Sequence, residues 1–321
     1  MKSKPAPTLL SSPSTKALSP SHLSRRASNA ILVLLAGGAL NCLSLYNHFM
    51  SITVAVTNYN AQDHLVRLLP ELRLQGFDRI LVLDDASTDG SVKWLQKQTD
   101  IELIAGSKNL GPTGNRNRIL GTNINDIVVF IDVDMELRGQ NLASALKGVF
   151  NKYPDAAVAG PLILGQTDEP MWYNWGYELN PKLDGLTDAL SQIALAHWHN
   201  PEVMATVRAA ASGKVGHFEP VKSRQVDWVV EQIFAVRMAI FRELGGFDPK
   251  FRMFHEGPDY CRRARQAGHT IRFTTSITAK HLDLHSGNDK QRDKDMLAST
   301  KYYYRKHFGL TEASFNKLFG S

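Results

Sequence analysis

The stretch FIDVDMEL, residues 130–137, joins an apolar run to two aspartates that are one residue apart. The residues from Ile127 to Ile131 are all β-branched or aromatic, as in a buried strand. Because side chains of an extended chain alternate between its faces, Asp132 and Asp134 point the same way. Two carboxylates on one side repel each other unless a cation lies between them. The pattern indicates either a polar turn after a buried strand or the start of a cation site.

Composition excludes several classes of protein. The chain has 321 residues, 43% of them hydrophobic, which is ample for one large domain or two joined halves. The net charge of +6 comes mainly from residues 1–50, which hold five basic and no acidic side chains. Residues 51–321 carry 32 basic and 31 acidic side chains, so no general nucleic-acid surface is indicated. Two cysteines, Cys42 and Cys261, exclude a disulfide framework or a cysteine zinc site.

The first fifty residues differ from the rest of the chain. Residues 1–28 hold eight serines and four prolines, a composition that predicts disorder. The apolar run 30–40 has eleven residues, whereas a membrane-spanning helix needs about 20. A signal-peptide core, a transit peptide and an extension outside the fold all fit this segment. We expect a cytoplasmic protein, with or without membrane association; the alternative is organelle targeting or a signal anchor through residues 1–46.

From residue 51 the chain alternates strand patterns with helix patterns. A leucine repeat at i, i+3, i+4 and i+7 follows the first strand pattern, with Pro70 inside it expected to kink the helix or end a run of its hydrogen bonds. This rhythm predicts an α/β fold, a Rossmann-like and mostly parallel sheet with helices on both faces. The predicted strands are 51–56, 80–83, 101–105 and 127–131.

Three of the predicted strands end in polar clusters, TNYN at 57–60, Asp84-Asp85, and Asp132 with Asp134. In open α/β sheets, ligands bind outside the carboxyl ends of the strands. The loop 106–118 has neither the G-x-G-x-x-G pattern of a dinucleotide fold nor a lysine-containing phosphate loop. The sequence therefore favours an anionic ligand held by a metal and an arginine over one held by a glycine cradle.

Five motifs occur in order along the chain, and together they resemble the inverting family-two glycosyltransferases of the GT-A fold. They are VTNYN (56–60), LDDASTDGS (83–91), NLGPTGNRNRIL (109–120), FIDVDMEL (130–137) and GGFDPKFRMFHEGPDYCRRARQAG (245–268). The resemblance runs from about residue 51 to 286 and is weak between roughly 165 and 225. It implies a nucleotide-diphospho-sugar donor, Mn²⁺ or Mg²⁺, and transfer with inversion to a glycan, lipid-linked or protein acceptor.

Composition and the resemblance together suggest a domain division. Residues 1–50 would be a disordered, targeting or added segment, and 51–321 the GT-A domain. Within that domain, 51–135 would form the nucleotide-binding half. Residues 136–321 would form the acceptor half and the C-terminal tail.

For the donor site, the resemblance assigns each matching position a role. Hard oxygen ligands suit Mg²⁺ or Mn²⁺, and a forked guanidinium suits phosphate. Asp134 would bind the metal directly, and Asp132 the metal, its water shell or the ribose. His281 would be a further metal or diphosphate ligand, with His285 as its alternative. The remaining donor contacts would come from Thr57, Asn58, Tyr59, Asp84, Asp85, Arg116 and Asn117.

The catalytic base is where this sequence departs from the family. The family pattern reads Glu-Asp-x-Asp, and the Asp usually given the base role falls on Gly257. Glu256 is therefore the expected base and Asp259 a second catalytic acid, with His255 a lesser candidate. Asp259 has a structural alternative as the N-cap of the helix that ends at Gly268. The departure leaves open a non-catalytic relative that binds nucleotide-sugar or glycan; a nucleotidyltransferase is disfavoured, since the chain has no glycine-rich lysine loop.

Acceptor choice is expected to lie in 165–225, which is rich in tryptophan and tyrosine. Aromatic faces stack on sugar rings and also fill cores. The spacing in MWYNWGYEL, residues 171–179, is neither clearly helical nor clearly extended, which favours a loop or a lid. Phe247 and Asp248 are expected to be structural, after a helix over 238–244 that a glycine turn ends.

We predict that a chain beginning at Met50 folds and keeps donor binding, because the preceding segment cannot bury enough apolar surface to join the core. Circular dichroism and nucleotide-sugar binding, measured beside the full chain, check this. An insoluble or unfolded product would place residues 30–49 in the core.

Overall fold

The computed structural model describes most of the chain after residue 49. The described residues are 50–124, 126–139, 141–171, 173–181, 200–211, 221–282 and 289–319. The predictions for residues 1–49 concern a segment outside them and stay predictions. Within the described ranges, the structure contains no helix that is both long and apolar enough to cross a membrane.

Eleven strands within the described ranges form most of the framework. They are β1 (Ile52–Asn58), β2 (Arg79–Asp84), β3 (Glu102–Ala105), β4 (Ile127–Asp132), β5 (Met135–Arg138), β6 (Ala156–Leu164), β7 (Trp175–Gly176), β8 (Arg224–Val226), β9 (Trp228–Val229), β10 (Ile233–Arg237) and β11 (Thr270–His281). The four predicted strands are present as β1 to β4, each within two residues of its expected bounds.

The helices of the described residues alternate with these strands. They are α1 (Gln62–Arg73), α2 (Ser91–Leu95), α3 (Gly111–Arg116), a 3₁₀ turn (Asn117–Gly121), α4 (Leu142–Lys152), α5 (Pro201–Ala211), α6 (Met238–Glu243), α7 (Glu256–Gln266), α8 (Asp289–Phe308) and α9 (Glu312–Phe319). Helix α1 runs from Gln62 to Arg73 with Pro70 inside it, and the expected kink or interrupted run of hydrogen bonds stays a prediction. The leucines around Pro70 are buried, and their packing offsets the hydrogen bond that proline removes.

One large sheet has the strand order β3-β2-β1-β4-β10-β6-β11-β5, with β8 paired to β11. Strands β3, β2, β1 and β4 are mutually parallel. Strand β10 runs antiparallel to both β4 and β6, and β11 is parallel to β6. The expected α/β fold with its mostly parallel, Rossmann-like half is confirmed, and each antiparallel pair of the large sheet in the described residues includes β10 or β11.

Alternate residues of the central strand β4 face two different apolar clusters. Ile127, Val129 and Ile131 pack with residues of α1 and α4. Val128 and Phe130 pack with residues of α6 and α7 on the other face. By the same alternation, Asp132 at the end of β4 follows Val128 and Phe130 onto the α7 side.

Aromatic rings attach α7 to this second face of the sheet. Tyr260 of α7 lies 5.1 Å from Phe241 and 6.2 Å from Phe234, measured between ring centroids. Phe247 lies 5.1 Å from Phe241 in an edge-on contact, which confirms its expected structural role. Such ring pairs add about 0.5–1.5 kcal/mol each beyond the area that they bury. This packing holds the first turn of α7 close to the end of β4.

Candidate active site

The carboxyl ends of β1, β2 and β4 lie side by side at one edge of the sheet. Thr57 of β1 is in register with Asp132 of β4, and Asn58 with Asp84 of β2. The structure thus brings these four predicted residues together. Because neighbours in a strand face opposite ways, Thr57 and Asp132 belong to one sheet face and Asn58 and Asp84 to the other.

The Asn58–Asp84 pair is buried and hydrogen-bonded. Asn58 Nδ2 donates to Asp84 Oδ2 at 2.8 Å and to Ser87 Oγ at 3.1 Å, and the Ser87 backbone N–H donates to Asp84 Oδ1 at 2.9 Å. Asn58 Oδ1 is buried with no hydrogen-bond partner among the described residues. An unsatisfied buried acceptor beside Tyr59, which is 47% exposed, is a feature of ligand sites.

Asp85 has a different role from the Asp84 beside it. Its carboxylate accepts the backbone N–H groups of Leu110 and Gly111, both at 2.8–3.0 Å, and pairs with Arg118 at 3.2 Å. These contacts hold the loop that leads into α3. The carboxylate oxygens of Asp85 are therefore already hydrogen-bonded to this loop. The expected contact of Asp85 with the nucleotide-sugar stays a prediction.

Arg116, the last residue of α3, is almost fully buried between two carboxylates. Its Nη2 lies 2.7 Å from Asp132 Oδ1, and its Nη1 lies 2.8 Å from Glu256 Oε1. The Asp132 oxygen also accepts the Thr57 hydroxyl at 3.3 Å. A buried guanidinium is stable only when charge and hydrogen bonds compensate its desolvation, and here two segments provide them.

Asn117 points away from this cluster. Its side-chain amide donates to the carbonyl of Phe247 at 2.7 Å and accepts the N–H of the same residue at 2.9 Å. Gly246, at φ +74°, leaves room for the Asn117 side chain, because a Cβ on residue 246 would lie 2.6 Å from Asn117 Oδ1. The Asn117 side chain therefore connects the end of α3 to the turn after α6. Its expected contact with the nucleotide-sugar stays a prediction without structural support.

Asp134 and His281 meet beside Asp132. His281 Nε2 lies 3.1 Å from Asp134 Oδ2, across the pairing of β5 with β11. Burial alone would raise the pKa of Asp134, but the hydrogen bond and charge of His281 hold it below its ordinary value. Burial raises the pKa of Asp132, against the opposing effect of Arg116. His285 lies outside the described residues.

The donor atoms of this edge fit a hard divalent cation in an open site. In the described ranges, no three histidine, cysteine, aspartate or glutamate side chains close around a common point. Asp132, Asp134 and His281 nonetheless lie along one edge. Mg²⁺ in particular takes only one or two protein carboxylates and completes its shell with phosphate oxygens and water. Such a set suits a cation that arrives with a phosphate-bearing ligand.

Glu256 and Gly257 begin α7 after a strained turn. Phe254 and His255 both have left-handed φ values, 67° and 65°, which non-glycine residues seldom adopt. Glu256 is only 3% exposed, and its Oε2 has no hydrogen-bond partner in the described part of the chain. Burial raises the pKa of Glu256 and lowers the pKa of His255 to about 4, so the imidazole is neutral near pH 7.

Asp259 faces away from Arg116, and the hypothesis that it caps α7 is wrong. The N-cap is His255, and Asp259 lies inside the first turn with its N–H bonded to the His255 carbonyl. Its fully buried carboxylate pairs with Arg263 at 2.9 Å, and with Lys306 at 2.5 Å and His307 at 2.8 Å. Asp259 therefore anchors α8 to α7, and its expected catalytic role stays a prediction without structural support.

Glu231, in the turn between β9 and β10, is a site residue that the sequence analysis missed. Its Oε1 accepts the backbone N–H of Gly257 at 3.0 Å, and its carbonyl oxygen lies 3.5 Å from Arg116 Nη2. Burial, and next the Glu256 carboxylate, raise its pKa to about 8. The sequence feature that could have indicated Glu231 is an acidic residue between two apolar pairs, Val229-Val230 and Ile233-Phe234.

The aromatic segment after residue 170 is partly core. Trp175 is 5% exposed, sits in β7 and packs edge-on against Tyr177 with centroids 5.6 Å apart. The expectation of a loop or lid is wrong for Trp175, because its strand pairs with β9 and its ring joins the apolar cluster of α7. Trp172 and Trp198 lie outside the described residues.

The sequence and the fold of this chain are similar to those of known proteins. A family model described as "Glycosyl transferase family 2" matches residues 53–221. N-acetylglucosaminyl-diphospho-decaprenol L-rhamnosyltransferases of two Mycobacterium tuberculosis strains, CDC 1551 / Oshkosh and ATCC 25618 / H37Rv, are each 26% identical over 248 residues. The match covers 73% of this chain and 76% of theirs.

Two solved structures share the fold. Mannosyltransferase PcManGT from Pyrobaculum calidifontis, in complex with GDP-Man and Mn²⁺, has a TM-score of 0.51 at 16% identity, covering 84% of this chain and 68% of its own. GalNAc-T7 with UDP, GalNAc and Mn²⁺ has a TM-score of 0.50 at 14% identity, covering 84% of this chain and 53% of its own.

We predict that Asp259→Asn lowers the free energy of unfolding by about 2–4 kcal/mol at pH 7, because it leaves buried cationic partners uncompensated. The folded-state pKa of Asp259 is below its ordinary value, so its contribution is present above the unfolded pKa of about 3.9 and is lost as pH falls through the folded pKa. Urea unfolding of both proteins across this pH range measures the difference.

The matched control is Glu312→Gln on α9, which removes an exposed carboxylate paired with Lys301. Its cost should stay below about 1 kcal/mol. An Asp259→Asn protein as stable as the control protein would show that the α7–α8 anchor contributes little.

Proposed function

This chain belongs to glycosyl transferase family 2 and is a glycosyltransferase of the GT-A fold, and on that premise we propose a specific reaction. In this reaction the protein moves a hexosyl or deoxyhexosyl group from a nucleotide-diphospho-sugar to a glycan, lipid-linked or protein acceptor. The transfer inverts the anomeric carbon and uses a divalent cation. The observation that carries the proposal is the charged edge at which Arg116 holds Asp132 and Glu256 beside Asp134 and His281.

The nucleoside would bind at the ends of β1 and β2. The exposed ring of Tyr59 offers a face for stacking, and the unsatisfied Oδ1 of Asn58 offers an acceptor for a base N–H. Asp84 holds the Asn58 amide in place through Nδ2. Thr57 of β1 and Asp132 of the neighbouring strand β4 would lie near the ribose and the first phosphate.

The diphosphate would bind at Asp132, Asp134 and His281 together with the cation. When bound there, Mn²⁺ or Mg²⁺ supplies Lewis-acid stabilisation of the leaving diphosphate. The carboxylate of Asp134 stays ionised at neutral pH because His281 lowers its pKa. Mn²⁺ in PcManGT and in GalNAc-T7 supports a divalent cation here. Arg116 is occupied by its two carboxylates, so we assign it to orienting Asp132 and not to a direct phosphate contact.

The acceptor is proposed from the relatives. The two Mycobacterium tuberculosis proteins are named as L-rhamnosyltransferases acting on a sugar-diphospho-polyprenol. A lipid-linked acceptor, reached by peripheral association with a membrane, is therefore the first candidate for this chain, and L-rhamnose the first candidate sugar.

The reaction is tested with UDP-, GDP- and dTDP-activated hexoses and L-rhamnose, each offered with a polyprenyl-diphospho-N-acetylglucosamine acceptor. We expect release of nucleoside diphosphate coupled to a glycosylated lipid whose new anomeric centre is inverted relative to the donor, as read by NMR. Binding of a nucleotide-sugar without transfer to any acceptor would favour the non-catalytic alternative. That alternative rests on Gly257, which stands where the family motif has an acid.

We predict that a nucleoside diphosphate raises the thermal unfolding midpoint only with Mn²⁺ or Mg²⁺ present, because Asp134 and His281 would hold the cation that neutralises the diphosphate. A ligand at 100 times its Kd adds about 2.7 kcal/mol, which corresponds to roughly 5 °C here. Differential scanning fluorimetry with UDP, GDP and dTDP, with each metal or with excess chelator, measures the shift.

Asp134→Asn should abolish the metal-dependent shift while the fold remains. Asp100→Asn is the matched control, since Asp100 lies before β3 and pairs there with Arg73. Equal stabilisation by nucleotide in excess chelator would contradict the role assigned to the cation.

A further inference from the structure

Gly257 leaves a space on α7 that a carboxylate from another segment fills. A Cβ built on Gly257 would lie 2.6 Å from both Cγ and Oε1 of Glu231, which real Cβ atoms essentially never show. The backbone of Gly257 has ordinary helical geometry, so the lack of a side chain serves this approach and not a special φ. An acid at position 257 and the acid at 231 would thus compete for the same place.

Glu231 differs from the other carboxylates of the site in its surroundings. Asp132 and Glu256 are both bound to Arg116, and Asp134 to His281. Asp84 is fully buried. Glu231 is partly exposed, and among the described residues no cation is hydrogen-bonded to its side chain, whose Oε1 accepts only the Gly257 N–H.

The turn that carries Glu231 is fixed to the charged edge through its backbone. The carbonyl of Glu231 lies 3.5 Å from Arg116 Nη2, and the carbonyl of Gln232 accepts the Asp132 N–H at 3.0 Å. The side chain therefore projects from a rigid support beside the predicted sugar and phosphate positions. Rigid support of this kind is what a group acting on a reacting atom needs.

We propose that Glu231 is the general base of the transfer reaction, taking at the start of α7 the place that Gly257 leaves empty. This rests on the proposed function. The acceptor O–H proton passes to a Glu231 oxygen, and the acceptor oxygen forms a bond to the anomeric carbon. The bond between that carbon and the diphosphate oxygen breaks, and its electron pair leaves with the nucleoside diphosphate.

The charges around Glu231 suit a proton acceptor. Glu256 on α7 and Asp132 at the end of β4 are negative, Arg116 on α3 is positive, and Cys261 on α7 is a thiol whose pKa burial raises. Burial and the Glu256 charge raise the pKa of Glu231 to about 8. A base with a pKa near the working pH combines ionisation with proton affinity. Glu256 then acts as a positioning residue that holds Arg116.

Glu231→Gln keeps size and polarity but removes the base. With the donor and acceptor pair that the wild-type chain uses, we expect kcat to fall by about 10²–10⁴-fold, while stabilisation by nucleoside diphosphate and Mn²⁺ is unchanged. Glu243→Gln, an exposed glutamate on α6, is the matched control and should transfer at the wild-type rate. Thermal unfolding of each variant verifies its fold.

The pH profile separates Glu231 from Glu256. The wild-type rate should rise with pH through an inflection that is absent in Glu231→Gln. In Glu256→Gln the inflection should move to lower pH, because the neighbouring negative charge that raises the pKa of Glu231 is gone. Loss of transfer in Glu256→Gln together with a wild-type rate in Glu231→Gln would overturn the proposal and leave Glu256 as the base.

A swap provides the sharpest test. Glu231→Ala should be inactive, and Glu231→Ala combined with Gly257→Asp should regain at least tenfold, because the new carboxylate enters the vacated space. A double variant no more active than Glu231→Ala would count against a shared position. A wild-type chain that transfers no sugar from any donor would instead overturn the proposed function, and the base with it.

Discussion

The buried guanidinium of Arg116 is the constraint from which the site is built. Taking an unpaired ion out of water costs several kcal/mol, so Arg116 is stable at 2% exposure only because Asp132 and Glu256 both reach it. One carboxylate ends β4 and the other begins α7. The ion pair therefore fixes the distance between the sheet edge and that helix, and the aromatic packing of Tyr260 supports the same placement.

The charge balance at this edge favours a cation. Asp132, Asp134, Glu256 and Glu231 lie near one arginine and one histidine, and burial and mutual repulsion raise the pKa of three of the four. A divalent cation would relieve this excess of negative charge and would bring a diphosphate to an edge that otherwise repels it. The same excess of negative charge, through Glu256, raises the proton affinity of Glu231.

In the proposed reaction, two segments of the chain would share a function that the family motif places in one segment. Gly257 has no side chain, and the Glu231 carboxylate occupies the space from a turn 26 residues earlier. A motif compares residue types along the chain, whereas chemistry depends on where atoms lie. A missing acid in a motif is therefore weak support for lost activity until the surrounding space has been inspected.

The sequence by itself determined the strands, the helix after β1 and the polar edge at the strand ends. These follow from periodicity and from the alternation of side chains, which act over a few residues. Only the tertiary structure decided which polar residues lie together at that edge. Asp85, Asn117 and Asp259 are bound to distant loops and helices, Trp175 is in the core, and Glu256 meets Arg116 from 140 residues away. Such contacts depend on how separate segments pack, and local patterns carry no record of that packing.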